Sequence, residues 1–427
     1  MSQSHTALPL EAADAALAPI AAHERVFDWQ SHASLWFSLG VGLLVMQVGA
    51  YLVPGAGTRD AALAILLGSV LGSAVLAWTA QLGCASGLTS AGLMDRAYGA
   101  AFARLPVLLN IAQLIGWTTF ELVVMRDGTL AIGKQSLGVA LDGPVGRVTA
   151  TLAWGAVLLA LLAGSMTRLV RRVVERFGLP LVVASLAWLT WQFGTKLQAQ
   201  GLDAFWARPG DGSMGLLSAT DLVIGMPISW LPLVADYARH GRSGRGAFGG
   251  TLVGYTVANA WCYALGVVVA SVSAPGTDLV GALLLAQGGL LALSLILVDE
   301  IDNAYGDVYS GAVSASSLRA GGGVRGWGMA LALLCTVLAL FLPMHSIEPF
   351  LLTLSSVFVP LYGVILGRLG GTKGELAPST RSVHWTAAGL WILGVGMYQL
   401  LAGSAWGAAL PTLAATFVAA RLTRGRG

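Results

Sequence analysis

The chain has 427 residues, 56% hydrophobic and 11% charged, with a formal net charge of +3. A soluble domain carries roughly 25% charged residues, so this composition excludes an ordinary soluble protein and predicts a polytopic membrane protein whose bulk partner is the lipid bilayer. The small net charge says nothing for a nucleic-acid surface, because the basic residues sit in short connections between apolar runs, and no nucleic-acid partner is expected.

Residues 1–32 carry Glu11, Asp14 and Glu24 and lack a basic stretch leading into an apolar core. They read as a cytoplasmic tail, not a signal peptide, and as disordered through Pro19. Runs of about 20 apolar residues then predict twelve spans. They are Leu35–Pro54, Ala61–Leu82, Leu105–Met125, Val148–Met166, Phe177–Leu197, Leu216–Asp236, Phe248–Val272, Ala282–Ala304, Gly328–Pro343, Pro349–Leu366, Trp385–Leu401 and Ala405–Ala420. The third span can also run past Arg126 and Asp127 toward Gly133. With the N-terminus inside, 18 of the 24 Lys and Arg residues fall in inside segments. That asymmetry predicts cytoplasmic N- and C-termini in the plasma membrane, for a bacterium the inner membrane. The Arg168–Arg176 segment reads as a basic amphipathic helix on that surface, and Gly321-Gly-Gly323 as a flexible link.

The sixth span contains Gly225, Pro227 and Pro232. Each proline lacks an N–H and crowds the preceding turn, and in hydrocarbon the freed carbonyls need partners. The first span carries Gly40-Val-Gly42 and then Gln47-Val-Gly49. Interrupted spans at matching places in two groups of five point to an inverted-repeat transporter with its site at mid-membrane. The alternative is a kinked but closed helix in a chain that holds 56 glycines. The resulting division is 1–32 tail, 33–200 first repeat, 201–370 second repeat, and 371–427 the last two spans with a basic end.

Polar residues inside the spans carry the chemistry. Asn110, Gln113, Trp117 and Glu121 are spaced by three or four and share a helix face. Asp, the acid on the insertion scale, costs about 2.5–3.5 kcal/mol at mid-span, so a carboxylate such as Glu121 needs a compensating partner. Trp117 and Glu121 can clamp a planar heteroaromatic ring by stacking and charge-assisted hydrogen bonds. The competing reading is a packing face. On the eighth span, Asp299, Asp302 and Gly306 share one face and Glu300, Asn303 and Asp307 the next. Asp299 and Glu300, at the apolar boundary, read as cation- or proton-coupling groups, while Asp307 is expected to face the cytoplasm. Asp236-Tyr-Ala-Arg239 reads as an ion-pair anchor at the cytoplasmic face, and Trp385, Trp391 and Trp406 as an interfacial belt. His240, His345 and His384 are isolated. Cys84, Cys262 and Cys335 lie in or beside separate spans without metal or disulfide spacing. No organic cofactor is expected, and no constellation suited to an intramembrane enzyme is present.

Three motifs in order, Gln113-Leu-Ile-Gly-Trp-Thr-Thr-Phe-Glu-Leu-Val-Val-Met125, Pro227-Ile-Ser-Trp-Leu-Pro-Leu-Val-Ala-Asp-Tyr237 and Val298-Asp-Glu-Ile-Asp-Asn-Ala-Tyr305, resemble the nucleobase:cation symporter-1 family. The likeness runs from about Phe27 to the twelfth span. It is greatest to the branch described as hydroxymethylpyrimidine transporters (CytX-type). The resemblance implies an all-α, LeuT-like five-plus-five inverted repeat with two extra helices, importing a small nitrogen heterocycle with Na⁺ or H⁺. It implies substrate contacts at Gln47, Trp117, Glu121, Met226, Ser229, Trp230 and Asn303. It also implies a coupling site, or a Na⁺ site, at Leu43, Met46, Asp299 and Glu300. Hydroxyl residues of the eighth span bind Na⁺ in relatives, and Asp299 and Glu300 stand there in this chain, which leaves Na⁺ and H⁺ both open. A carboxylate at Glu121, where relatives often have an amide, favours a donor-rich 4-aminopyrimidine edge, with cytosine fitting nearly as well. A solute receptor that binds without transport is the alternative from another class. A packed monomer is the expected state.

Overall fold

The computed structural model describes residues 18–138, 143–164, 168–274, 276–319, 323–344, 346–372, 374 and 376–424, with no side chains described for residues 22, 137 and 168–177. The expectations on residues 1–17, the Arg168–Arg176 side chains, Gly321–Gly322 and His345 lie outside the described residues. The described chain is helical throughout. The sole strand-like feature is an isolated bridge between Phe27 and Gly241.

Seventeen helices follow in order: α1 Trp29–Ser38, α2 Leu43–Tyr51, α3 Thr58–Ser86, α4 Ser90–Tyr98, α5 Arg104–Leu137, α6 Pro144–Leu162, α7 Arg168–Gln200, α8 Leu202–Trp206, α9 Leu216–Ser229, α10 Leu231–Ala238, α11 Gly244–Val272, α12 Leu279–Leu284, α13 Gly289–Leu318, α14 Gly323–Phe341, α15 Ile347–Leu369, α16 Trp385–Leu401 and α17 Ala409–Leu422. Among the described residues, seven helical runs are long and apolar enough to cross a membrane. The bent pair α1–α2 makes an eighth. Local chemistry sets the ends. Asp28 caps α1 through the Ser31 N–H, Thr89 caps α4 through Gly92, and Ser243 caps α11 through Gly246. Gly87 and Gly138, both left-handed, stop α3 and α5. Apparent loops shorten accordingly. α5 runs past Arg126 and Asp127 to Leu137, α8 lies between the fifth and sixth predicted spans, and α13 continues to Leu318.

The two interrupted spans differ from expectation in where and how they break. The first begins at Trp29 and is broken over residues 39–42, with a bend of 62° between α1 and α2. The break is therefore one turn or more before Gln47. Gly40 and Gly42 flank it, and Gly42 is extended at φ 179° and ψ 156°. The sixth span breaks at Trp230, not at Gly225-Met-Pro227, which lies inside α9. Trp230 keeps a right-handed helical conformation (φ −84°, ψ −12°), so Leu216–Ala238 still runs as one 23-residue span.

α11 packs against α1, α2 and α3. Backbones meet directly there. A Cβ at Gly254 would stand 2.3 Å from the Ala33 carbonyl oxygen, one at Gly266 2.1 Å from that of Met46, and one at Gly49 2.3 Å from that of Tyr263. Small residues at such contacts give van der Waals packing where lipid supplies no hydrophobic drive. α5 and α13 form a second close pair, with α14 and α6 beside them. Asp221 joins the far helices: its buried carboxylate accepts from the Ala408 and Ala409 N–H groups and caps α17. Trp391 is not an interfacial residue. It is 4% exposed, donates to the Val357 carbonyl at 2.9 Å and packs on Tyr98 and Phe102. Trp385 and Trp406, each 76% exposed, keep outward positions.

A short strap closes the end rich in arginine. Ile20 N–H donates to Gly87 O (3.0 Å) and the Arg25 guanidinium to Cys84 O (2.8 Å). Val26 and Phe27 N–H groups both donate to His240 O (2.9 Å), and Arg242 N–H to Phe27 O (2.8 Å). The strap thus ties the start of α1 to the end of α3 and to the α10–α11 connection. His240 is buried beneath it, and burial first, then Arg239 and His32, hold its imidazole down from 6.5 to about 3.

Two expectations follow. A Gly266→Ala side chain must displace the Met46 backbone, at a cost of roughly 1–3 kcal/mol, so the thermal midpoint of the purified protein falls. Gly396→Ala, with nothing within 4 Å, leaves it nearly unchanged. The folded state also holds His240 neutral while the unfolded chain protonates near 6.5. Its contribution to stability is therefore whole above pH 6.5 and is lost as pH falls toward 3. Thermal melts across that window should show His240→Gln with a shallower decline than wild type.

Candidate solute-binding site

The two breaks face each other across a central cavity lined by Leu39, Gly42, Leu44, Val45, Trp117, Glu121, Met226, Ser229, Trp230, Glu300, Asn303 and Asp307. Its volume is about 20 Å³, room for about one water molecule. α5 contributes the aromatic and acidic wall. The Trp117 ring stands edge-on to Phe350 at 5.1 Å. Its Nε1 is buried without a protein partner, as are Glu121 Oε2 and Asn303 Oδ1. Buried polar atoms are ordinarily hydrogen-bonded. Three such orphans border this one cavity, so donor and acceptor capacity there is unspent.

The α5 face divides between the two roles its spacing allowed. Leu233 N–H bonds to Trp230 O at the α9–α10 junction, which leaves Ser229 O free for another donor. Gln113 Nε2 donates to it at 3.0 Å, and Asn110 Nδ2 donates to Pro232 O at 3.0 Å and to Ser314 Oγ at 3.1 Å. Asn110 and Gln113 therefore satisfy the broken sixth span, and Trp117 and Glu121 line the cavity. Ser229 spends its hydroxyl proton on Met226 O (2.7 Å) and retains acceptor capacity. Trp230 packs edge-on to Trp36 at 5.9 Å.

On α13, Glu300 turns inward and accepts from the Leu43 N–H at the start of α2. Asn303 Nδ2 lies 3.3 Å from both Glu300 Oε2 and Val41 O. Asp307, expected at the cytoplasmic surface, is 2% exposed and lines the cavity. Its place on the Glu300–Asn303 face was visible in the spacing. What misled was treating the span as ending at Ala304. Asp236 has a structural place: fully buried, it accepts from Ser90 N–H at the start of α4 and from the Ser310 hydroxyl.

Four expected site residues stand apart from the cavity. Gln47 is half-buried on α2 beyond the break. Leu43 and Met46 sit within α2, where carbonyls feed the helical ladder. The backbone oxygens at the break belong instead to residues 38–41. Asp299 lies outside the lining, with Ser38 Oγ 3.4 Å from its Oδ1. Among the described residues, no group of three or more His, Cys, Asp or Glu is arranged to hold a metal ion. Leu39, Gly42, Leu44 and Val45 were not anticipated, although Gly40-Val-Gly42 marks the break that exposes them. A larger cavity of about 620 Å³ lies beyond α2, against Tyr51, Asp211, Asp221, Glu348 and Tyr398. Several of its polar groups are already engaged: Asp221 caps α17, Asp211 accepts from Ser213 N–H at 2.8 Å, and Tyr51 donates to Glu348 at 3.3 Å.

The chain belongs to the family described as permeases for cytosine/purines, uracil, thiamine and allantoin, whose model matches residues 19–395. Its family makes the chain a permease, not an enzyme. It is 25% identical over 382 residues to the cytosine permease of Escherichia coli strain K12, covering 84% of this chain and 85% of that one. Its fold is similar to that of Mhp1, a nucleobase-cation-symport-1 family transporter. The TM-score is 0.71 against the closed form with bromovinylhydantoin bound (15% identity, 96% of this chain and 93% of that one). It is 0.74 against the inward-facing form (15% identity, 99% and 94%). A Na⁺-coupled sialic acid symporter is similar at a TM-score of 0.66 and 10% identity, covering 98% of this chain and 93% of that one.

Gln113→Leu tests the division of the α5 face. It strips the donor from the Ser229 carbonyl, so a loss of about 1–3 kcal/mol is expected, read as a lowered thermal midpoint. An unchanged midpoint would mean that Gln113 does not support the sixth-span junction.

Proposed function

We propose that this permease is a cation-coupled importer of a small pyrimidine-type heterocycle, hydroxymethylpyrimidine in the first place and cytosine or another nucleobase in the second. The observation that carries the reading is the set of buried orphans Trp117 Nε1, Glu121 Oε2 and Asn303 Oδ1 around one cavity. A 4-aminopyrimidine brings an amino donor beside a ring nitrogen acceptor, matching a carboxyl group and an amide, while its face stacks on the indole. Similarity to a cytosine permease supports the ring class. Met226, Ser229 and Trp230 form the opposite wall.

In this reading the chain has twelve spans as a five-plus-five inverted repeat plus two, with both termini cytoplasmic in the bacterial inner membrane. It works as a monomer. A pyrimidine ring exceeds the present cavity, so binding requires the lining to part. The driving ion is H⁺ or Na⁺. Asp299 and Glu300 support a proton path, and the break carbonyls of residues 38–41 beside Ser38 and Asp299 offer oxygen ligands for Na⁺.

Uptake of labelled rings into cells is the test. Trp117→Ala and Glu121→Gln are each expected to reduce uptake at least about tenfold, the equivalent of roughly 1.4 kcal/mol, with the protein still in the membrane. Undiminished uptake by both removes the site assignment. Uptake that needs Na⁺ and ignores a pH gradient eliminates the proton path. Ring binding without counterflow in proteoliposomes would identify a receptor.

A further inference from the structure

We infer that Glu300 sets the charge class of the solute: it fills the N-terminus of α2 with a resident carboxylate, so that the cavity admits rings lacking an anionic group. This rests on the reading of the cavity as the solute site.

A half-helix that starts at mid-membrane presents unpaired N–H groups and the positive end of its dipole. Such ends point at anionic groups of substrates. Here the N-terminus of α2 opens into the cavity through Gly42 and Leu44. Its cap residue, Gly42, has no side chain to offer. The cap comes instead from α13, where Glu300 accepts from Leu43 N–H. The fit is tight: a Cβ at Gly42 would stand 3.1 Å and 3.4 Å from the two Glu300 oxygens. Asn303 fixes the arrangement by bridging Glu300 to the Val41 carbonyl across the break. The natural anion seat is therefore taken. Glu121 and Asp307 line the remaining space, and none of the lining residues is Lys, Arg or His. A solute carboxylate would enter without a counter-charge, with its seat at the α2 N-terminus already filled.

The test uses the purified full-length protein with Glu300→Ala and Glu300→Gln. Binding of cytosine is compared with that of 5-carboxycytosine, the same ring bearing a carboxylate. Wild type is expected to favour cytosine, and Glu300→Ala to shift that preference toward the carboxylated ring by about tenfold or more. Glu300→Gln keeps an acceptor for Leu43 N–H and is expected to shift it less. A variant that binds cytosine with unaltered discrimination overturns the inference. A second readout does not depend on ring binding. Glu300→Ala leaves a carboxylate-sized gap at the α2 N-terminus, so formate should raise its thermal midpoint relative to sulfate at equal ionic strength, and should leave wild type unmoved. No formate effect on Glu300→Ala, alongside a midpoint equal to wild type, refutes the resident-anion role. Wild type binding neither ring would refute the solute-site reading instead, with the formate arm still deciding the role of Glu300. If Glu300→Ala cannot be purified, Glu300→Gln decides by its discrimination alone.

Discussion

Hydrocarbon offers no hydrogen bonds, so each amide or carbonyl released by a helix break must be met by protein. Both breaks in this chain are met from the same scaffold. Glu300 and Asn303 on α13 serve the start of α2 and the Val41 carbonyl. Asn110 and Gln113 on α5 serve the carbonyls of Pro232 and Ser229. α5 and α13 also pack closely on one another. The polar residues that look out of place in two apolar spans thus have a shared purpose, which is to make the interruptions affordable. The site arises where that service ends: one helix turn beyond Gln113, Trp117 and Glu121 have no such duty and keep unpaired atoms at the cavity.

Much of this was legible in the chain. Membrane class and most helices follow from apolar runs of sufficient length, since little else can occupy lipid. The α5 face follows from the spacing of Asn110, Gln113, Trp117 and Glu121; the spacing of Glu300, Asn303 and Asp307 gave a shared α13 face but not its inward direction, since Asp307 was expected at the cytoplasmic surface. The failures have physical causes. A glycine pair and a polar residue both mark an interruption, and composition cannot say which one carries it. The extended Gly42 decided for the glycines because the carboxylate of Glu300 needs its missing Cβ. Prolines signalled a break at Pro227, yet α9 runs through that residue to Ser229. Trp391 has the composition of a belt residue, and only tertiary packing reveals its partner carbonyl. Likewise, nothing local announces that Asp236 caps another helix at Ser90.

The two breaks are unequal, and that inequality bears on how the cavity changes shape. The first is a bend of 62° through the extended Gly42. The second is a local rearrangement at Trp230 within a span that remains nearly continuous. α1 is nevertheless not free to swing alone. The strap from Ile20 to Phe27 fastens its start to α3 and to the α10–α11 connection, and glycine contacts seat it on α11. α1, α2, α3, α10 and α11 are therefore joined more firmly to each other than to α5 and α13, with which they share the cavity. The hydrogen bonds that cross between these two groups include those of Glu300 and Asn303 to the first break, Asn110 to the Pro232 carbonyl, Tyr237 to the Gly306 carbonyl and Ser310 to Asp236. Glu300 and Asn303 both serve the first break and line the cavity, while Asn110 and Gln113 serve the second from outside it. The capping of α2 by Glu300 and the Trp117–Glu121 wall thus meet in a single layer of side chains around one cavity.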